Sequence, residues 1–164
     1  MKPSRLDPLA LAITGFCLWQ SSDLFSAWRH SPFDRLGDLA FLVWAIPLLW
    51  SPKTPPTGFP LGLGTLALAV CFLGGLGSLN ALKYIGLALA LVSLAGRASQ
   101  RPWFWLGASI AWMPALGYLP QIALGRSSLN LSWAIAAVRL GLASAAAAWM
   151  ILEIRRQSST APAL

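Results

Sequence analysis

The segment "LSWAIAAVRLGLASAAAAWMILEI", residues 131–154, decides the fold class of this chain. It is a long apolar run that contains one arginine, Arg139, and one glutamate, Glu153, which stands near its end. A helix that crosses the hydrocarbon core of a bilayer needs about 20 mostly apolar residues. The segment therefore predicts a membrane-spanning helix, and the rest of the chain is interpreted from this starting point.

The composition of the whole chain agrees with a membrane location. Of its 164 residues, 57% are hydrophobic and 10% are charged, whereas a soluble globular domain carries about 25% charged residues. Such a chain has too few polar side chains to cover its surface in water. The net charge of +7 comes from basic residues that stand singly between apolar runs. This pattern is typical of the flanks of membrane segments, and it argues against nucleic acid as a partner.

Six apolar segments predict an all-α membrane protein, a polytopic bundle of about six transmembrane helices. The first and fourth segments are short, so a bundle of five spans is the alternative. Residues 1–154 would form a single transmembrane domain, and residues 155–164 a short cytoplasmic tail. The six predicted segments are 6–20, 37–50, 59–79, 81–95, 103–123 and 131–154.

The distribution of lysine and arginine predicts the orientation. With six spans, both termini lie on one side of the membrane, and that side collects seven of the twelve basic residues. The opposite side has four, and Arg139 lies within the last span. Cytoplasmic loops carry the excess of lysine and arginine. The bias therefore predicts a multi-pass protein of the cytoplasmic (inner) membrane with both termini in the cytoplasm.

The polar segment "SSDLFSAWRHSPFDRLGDLAF", residues 21–41, would then lie mostly outside. In one interpretation, His30 forms an acid–base pair with Asp23 or Asp34. In the other, the segment is an amphipathic turn at the membrane interface, with apolar side chains toward lipid and the charged ones, Asp34 among them, in water. The second interpretation is favoured because the neighbouring serines carry no activating motif.

Other polar residues fall in the loop near residue 80, on the same predicted side. Together these outer loops could line one shallow polar opening that binds a ligand or a partner. The candidate residues of the outer face are Asp23, Arg29, His30, Asp34, Asn80 and Lys83.

Arg139 is the strongest candidate within the membrane. It lies eight residues past Leu131, which places it about 12 Å along the helix at 1.5 Å per residue. A charge at that depth costs several kcal/mol unless it is paired or hydrated. Asp38, at the outer start of the second span, is the nearest acid in depth and is the predicted partner. Such a pair would be either a scaffold or part of a polar cavity.

No catalytic motif and no metal site is predicted. The chain lacks a P-loop, an HExxH motif and a GxSxG motif, so the sequence itself does not indicate an enzyme. Its two cysteines, Cys17 and Cys71, each stand inside an apolar run, and His30 is its one histidine. Residues so few and so isolated cannot build a tetrahedral metal site. No cofactor is therefore expected, and both cysteines are interpreted as small packing residues.

Small residues recur at intervals of four in the last two spans. In lipid, such faces let helix backbones approach each other closely. They predict packing within the bundle and against another membrane protein. The two faces are Gly107, Ala111 and Ala115 in the fifth span, and Ala137, Gly141 and Ala145 in the sixth.

Two stretches carry a resemblance to a known family. The first is "SPFDRLGDLAFLVWAIPLLW", a short polar loop that leads into a span with tryptophan and proline; the second is "LNALKYIGLALALVSLAG" continued by "WLGASIAWMPALGYLP". Over residues 18–125, the chain resembles the exosortase/archaeosortase family of polytopic membrane proteins. Members of that family are thought to be transpeptidase-like proteases that process C-terminal sorting signals outside the cytoplasmic membrane.

The resemblance does not extend to a catalytic centre. The family has its catalytic cysteine, arginine and histidine in that order in later spans, whereas His30 here precedes Cys71. No catalytic residue is therefore transferred. The resemblance implies a match to the non-catalytic front half of the family, as a truncated or accessory relative.

Three functions remain open at this point. The leading expectation is a non-catalytic, exosortase-like accessory or assembly subunit of a membrane complex. A small-solute-binding membrane subunit of a transporter is the alternative, because short helices rich in glycine and alanine suit it as well. The third is a membrane cysteine protease or transpeptidase with Cys71 as its nucleophile.

Overall fold

The computed structural model describes residues 8–50, 61–94, 102–114, 116 and 129–159. Within these ranges the chain is helical and contains no strand, which confirms the all-α class. The helices are α1 (Pro8–Gln20), α2 (Asp23–His30), α3 (Gly37–Trp50), α4 (Leu61–Leu76), α5 (Asn80–Leu94), α6 (Pro102–Ser109) and α7 (Leu129–Ser159).

The number of spans differs from the sequence-based expectation. Among the described residues, α7 alone contains a stretch, Leu131–Glu153, that is long and apolar enough to cross a membrane by length and composition. A third of its most apolar window is buried inside the protein. The other apolar helices have 10–17 residues, which is short of a span. The quoted segment 131–154 is therefore correctly interpreted as a possible span, and α7 continues past it to Ser159.

The predicted segments agree with the helices unevenly. Segment 37–50 has the same bounds as α3, which runs through Pro47. Segment 103–123 is wrong as a single helix, since α6 ends at Ser109 and the chain then turns through i→i+3 hydrogen bonds as far as Met113. The physical reason is Pro114, whose ring in an α-helix would clash with the carbonyl group of Ile110. Residues 117–123 of that segment lie outside the described residues.

Helices α4 and α5 form a closely packed hairpin. A Cβ atom at Gly86 of α5 would lie 2.7 Å from the Cβ atom of Cys71 and 2.9 Å from its backbone nitrogen. At the hairpin's turn, a Cβ atom at Gly74 would lie 2.8 Å from the backbone nitrogen of Lys83. These two glycines let the helix backbones meet, as small residues do in membrane helix pairs.

The remaining helices pack around this hairpin and around α7. Helix α1 lies against α4 and α5, α3 lies along α7, and α6 contacts α3, α5 and α7. Aromatic rings fill the centre: Trp44 lies 5.5 Å from Trp112 and 5.9 Å from Trp105 between ring centroids. Phe41 joins Trp112 to Trp28, at 5.3 Å and 5.6 Å. The connection and the turn that carry the candidate residues pack against this aromatic core.

Apolar side chains also cover the exterior. Every one of the seven helices exposes at least one large hydrophobic residue. Trp19, Trp103 and Trp133 are exposed, as suits indole rings near an interface. Examples from the other helices are Phe25, Leu42, Phe72 and Ile85.

Candidate functional site

The candidate site is built on the connection between α2 and α3. Ser31 to Leu36 form tight turns: the Asp34 N–H donates to the carbonyl oxygen of Ser31 at 3.1 Å, and the Gly37 N–H donates to that of Asp34 at 3.0 Å. Leu36 has a φ of 61°, a left-handed conformation that reverses the chain into α3. These turns direct the side chain of Asp34 inward, where it is 1% exposed.

Asp34 meets Arg139 of α7 in a buried ion pair. Nη2 of Arg139 lies 2.5 Å from Oδ1 of Asp34, and the arginine is 0% exposed. The guanidinium also donates to the carbonyl oxygens of Phe33 and Ala111, each at 3.4 Å. Arg139 thus joins α7 to the α2–α3 connection and to the turn after α6.

The predicted partner of Arg139 was therefore wrong. Asp38 is exposed, and its Oδ1 accepts a hydrogen bond from the Leu39 N–H at 2.9 Å, at the start of α3. An estimate of depth along straight helices favours Asp38 because it ignores the inward turns of the connection. Those turns bring the acid four positions earlier to the arginine, and they also bury Asp34, which the interfacial interpretation placed in water.

The electrostatics of the site depend on the pairing. Burial raises the pKa of the Asp34 carboxyl above its ordinary value, while its hydrogen bond with Ser31 and the charge of Arg139 act in the opposite direction. A buried carboxylate without a counter-charge is costly. The hydrogen bond with Ser31 and the guanidinium of Arg139 together stabilise the ionised form of Asp34 in this place.

Two tryptophans, Trp28 and Trp133, also contact the connection between α2 and α3. The Trp28 Nε1–H donates to the carbonyl oxygen of Trp112 at 3.0 Å, across a buried contact. Gly37 packs closely against the Trp28 indole, since a Cβ atom there would collide with Cδ1 and Nε1 of that ring. Beside Asp34, the Arg35 guanidinium lies 5.3 Å from the centroid of the Trp133 ring of α7. Sequence reasoning missed these contacts because no local pattern links residues so far apart in the chain.

In the described part of the chain, three buried N–H groups near the ion pair lack a hydrogen-bond acceptor. Nε of Arg139 and the Nε1 atoms of Trp44 and Trp112 have no hydrogen-bond partner. The two tryptophans pack ring against ring, and Trp112 follows Ala111, whose carbonyl oxygen accepts from Arg139. The arrangement can fix three segments in place, but its charged groups are already used within the protein.

A second polar cluster joins α2 to α5. Oδ2 of Asp23 accepts a hydrogen bond from the Tyr84 hydroxyl at 3.1 Å and lies 3.9 Å from Nζ of Lys83. The Ser21 hydroxyl donates to the carbonyl oxygen of Lys83 at 3.2 Å. Of the outer-face candidates, the structure thus brings Asp23 and Lys83 together.

The other outer-face candidates are distributed differently. Arg29, His30 and Asn80 are exposed. Nδ1 of His30 hydrogen bonds within its own helix, to the Ser26 carbonyl oxygen at 3.0 Å. Asp34 belongs to the buried pair. The six residues therefore do not form the single polar opening that the order of the loops suggested.

The cysteines lie in the apolar core one helical turn from the second polar cluster, since the Ser21 N–H donates to the carbonyl oxygen of Cys17 at 3.0 Å. Cys17 and Cys71 are each 0% exposed, and their side chains are neighbours in the same buried core. Within the described ranges, no three residues of the types His, Cys, Asp and Glu are placed to hold a metal ion. A buried thiol whose neighbour is a second thiol lacks the adjacent base that a cysteine nucleophile needs.

An apolar groove of about 460 Å³ lies between α6 and α7. Trp103 and Trp149 form its aromatic sides, and residues with small side chains or none form part of its floor. Its lining residues are Trp103, Phe104, Gly107, Ala108, Ile110, Leu142, Ala145, Ala146 and Trp149. Among the described residues, its lining includes no charged side chain, and Arg139 is not part of it.

Comparison with protein-family models, with curated proteins and with solved structures gives no match for this chain. The resemblance of residues 18–125 to exosortases and archaeosortases therefore stays a prediction.

Proposed function

We propose that this chain is a multi-pass protein of the bacterial inner membrane that acts as a non-catalytic assembly subunit of a membrane complex. The six-span topology, with both termini in the cytoplasm, is part of the proposal. The shorter apolar helices would cross where the bilayer thins locally around them. A relationship to the front half of exosortases would fit this role, as an accessory relative without the catalytic residues.

One observation carries the proposal: the groups that could perform chemistry are used in internal contacts, while apolar side chains cover the outside. Arg139 and Asp34 neutralise each other, and Cys71 is buried against Cys17. By contrast, each of the seven described helices exposes at least one large hydrophobic side chain. A protein built in this way offers surfaces for association with lipid and with other helices, and its described residues form no open catalytic site.

The surface proposed for the partner is the outward face of α7. Ala137, Gly141 and Ala145 are exposed, so this small-residue face is not used for packing within the chain. Apart from its chain neighbours and the backbone of α7, no atom of the described residues lies within 4 Å of a Cβ atom built at Gly141. Next to this face lies the groove with Trp149, whose side chain is 56% exposed. A helix of another membrane protein could approach the α7 backbone closely here.

The test compares two variants with the wild type in native membranes. Gly141→Phe adds bulk to the open face without a clash inside the chain, and Leu11→Phe is the matched control on the exposed side of α1. Each protein is purified in mild detergent, and everything that accompanies it is identified by mass spectrometry. We expect a stoichiometric protein partner with the wild type and the control, and loss of at least nine tenths of it with Gly141→Phe.

Two results would reject the assembly role. The first is a wild-type protein that purifies alone with a bound metabolite, which would favour the solute-binding alternative. The second is a partner that Gly141→Phe retains in full, which would reject this face as the contact. Equal thermal unfolding midpoints of the variants and the wild type would show that the folds are intact.

A further inference from the structure

The two cysteines of this chain lie in the same buried core although they are far apart in the sequence. Cys17 comes from α1 and Cys71 from α4, and both side chains are fully buried. Sγ of Cys17 also lies 3.9 Å from the carbonyl oxygen of Ala67, one helical turn before Cys71. Cys17 therefore faces the side of α4 that carries both Ala67 and Cys71.

Cys71 stands on a helix that is closely packed, whereas Cys17 stands on a helix with few buried residues. Cys71 lies where α4 is packed most closely against α5, under Gly86. Helix α1 buries only Ala10, Ile13 and Cys17 of its 13 residues. Segments with few buried apolar contacts open locally at a low free-energy cost. Small movements of α1 would therefore give a small apolar reagent access to the thiol pair.

The surroundings of Cys17 and Cys71 restrict the reactions that their thiols can undergo. A metal ion would require thiolates, and no third ligand stands beside them within the described residues. Ionised groups are costly in such an apolar place. A disulfide is neutral, and it requires only that the two sulfur atoms meet. Oxidation is therefore the chemistry that suits this pair best.

We propose that Cys17 and Cys71 form an oxidisable dithiol, which a lipid-soluble quinone converts into a disulfide that joins α1 to α4. Each thiol gives up one proton and one electron, and the bond between the two sulfur atoms forms. The quinone accepts both electrons and both protons and leaves as the quinol. The oxidant is neutral and apolar because the pair is buried among apolar helices, where ions do not enter readily.

The experiment uses the full chain, reduced and folded in detergent. One sample receives a fully substituted benzoquinone with an alkyl tail, which has no ring position for thiol addition. A second sample receives ferricyanide, a charged oxidant. Both are then denatured with iodoacetamide, and the intact mass is measured. We expect the quinone sample to lose the mass of two hydrogen atoms and to take up no alkyl group, and the ferricyanide sample to be alkylated on both cysteines.

Matched variants and a stability measurement complete the test. Cys17→Ser and Cys71→Ser should each keep one alkylatable thiol and form no internal disulfide. The oxidised wild type should unfold at a higher temperature than the reduced one, because the crosslink restricts the unfolded chain. Two alkylated cysteines after quinone treatment would overturn the proposal. So would a disulfide that forms only between two chains, or one that ferricyanide forms as fast as the quinone does.

Discussion

At the scale of single residues, the Asp34–Arg139 pair is the contact whose loss has the largest expected effect. Removing one member of a buried ion pair leaves the other charge uncompensated and typically costs about 3–5 kcal/mol. We expect Arg139→Met and Asp34→Asn each to lower the free energy of unfolding by about that amount, and the double variant to lose less than the sum. Thermal or denaturant unfolding of the four proteins in detergent measures this cycle.

Asp38→Asn is the control for this cycle. Asp38 is exposed and touches only the start of its own helix in the contacts described above. Substitutions at such positions change stability by about 0.5 kcal/mol or less. Additive losses at positions 34 and 139, or coupling between 38 and 139, would show that the arginine has a different partner in the protein.

The same pair predicts a dependence on pH. Burial raises the pKa of Asp34, and Arg139→Met removes the charge that opposes this rise. A carboxyl with a raised folded-state pKa stabilises the fold fully at pH values below its unfolded pKa, and this stability is lost as the pH rises through the folded value. The deficit of Arg139→Met relative to the wild type should therefore be larger at pH 8 than at pH 4.5. Unfolding midpoints at the two pH values measure it, and Arg139→Met/Asp34→Asn, which lacks the carboxyl, should show no such difference.

Arg139 and Asp34 show how much of the site the sequence could predict. Arg139 was identified because one charge in a long apolar helix needs a partner wherever the helix lies. Asp34 was a candidate of the outer face but was not predicted as the partner of Arg139, because it lies 105 positions away and is brought there by turns of the connection. Hydrophobic patterns determine which segments are helices, but they do not determine which residues of distant segments meet.

At the scale of the elements, the α4–α5 hairpin depends on the absence of a side chain at Gly86. A methyl group there would lie 2.7 Å from Cys71 Cβ and 3.0 Å from the carbonyl oxygen of Ala67, so the two helices would have to separate. We expect Gly86→Ala to lower the free energy of unfolding by about 1–3 kcal/mol, the usual cost of overpacking. Gly62→Ala on α4 is the control, since nothing lies within 4 Å of its Cβ position. Equal unfolding midpoints for the two variants would contradict close packing at Gly86.

The elements also show the limits of reading helices from apolar runs. Segment 37–50 was predicted with the bounds of α3 because polar residues precede it and its apolar run is continuous. Segment 103–123 was predicted as one helix, although Pro114 interrupts it. The short helix α2 lies inside segment 21–41, which was predicted to lie at the membrane interface because it is polar. Nevertheless, α2 buries Leu24 and Trp28 in the core. Apolar length alone does not separate one helix from a helix followed by a turn.

At the scale of the whole molecule, the exposed apolar surface predicts firm attachment to the bilayer. The apolar stretch of α7 has 23 residues, about 34 Å of helix, which is sufficient to cross the hydrocarbon core with some tilt. We expect the protein to stay in the membrane pellet after alkaline carbonate extraction and to aggregate when detergent is removed. A soluble monomer in detergent-free buffer would contradict the membrane assignment. A peripheral membrane protein from the same cells is the control for the extraction.

The position of Arg139 along α7 has a mechanical consequence. The helix has 31 residues, and the anchored arginine divides it into arms of about 15 Å toward Leu129 and about 30 Å toward Ser159. A rotation of α7 about the buried ion pair would therefore displace the Ser159 end of the helix about twice as far as the Leu129 end.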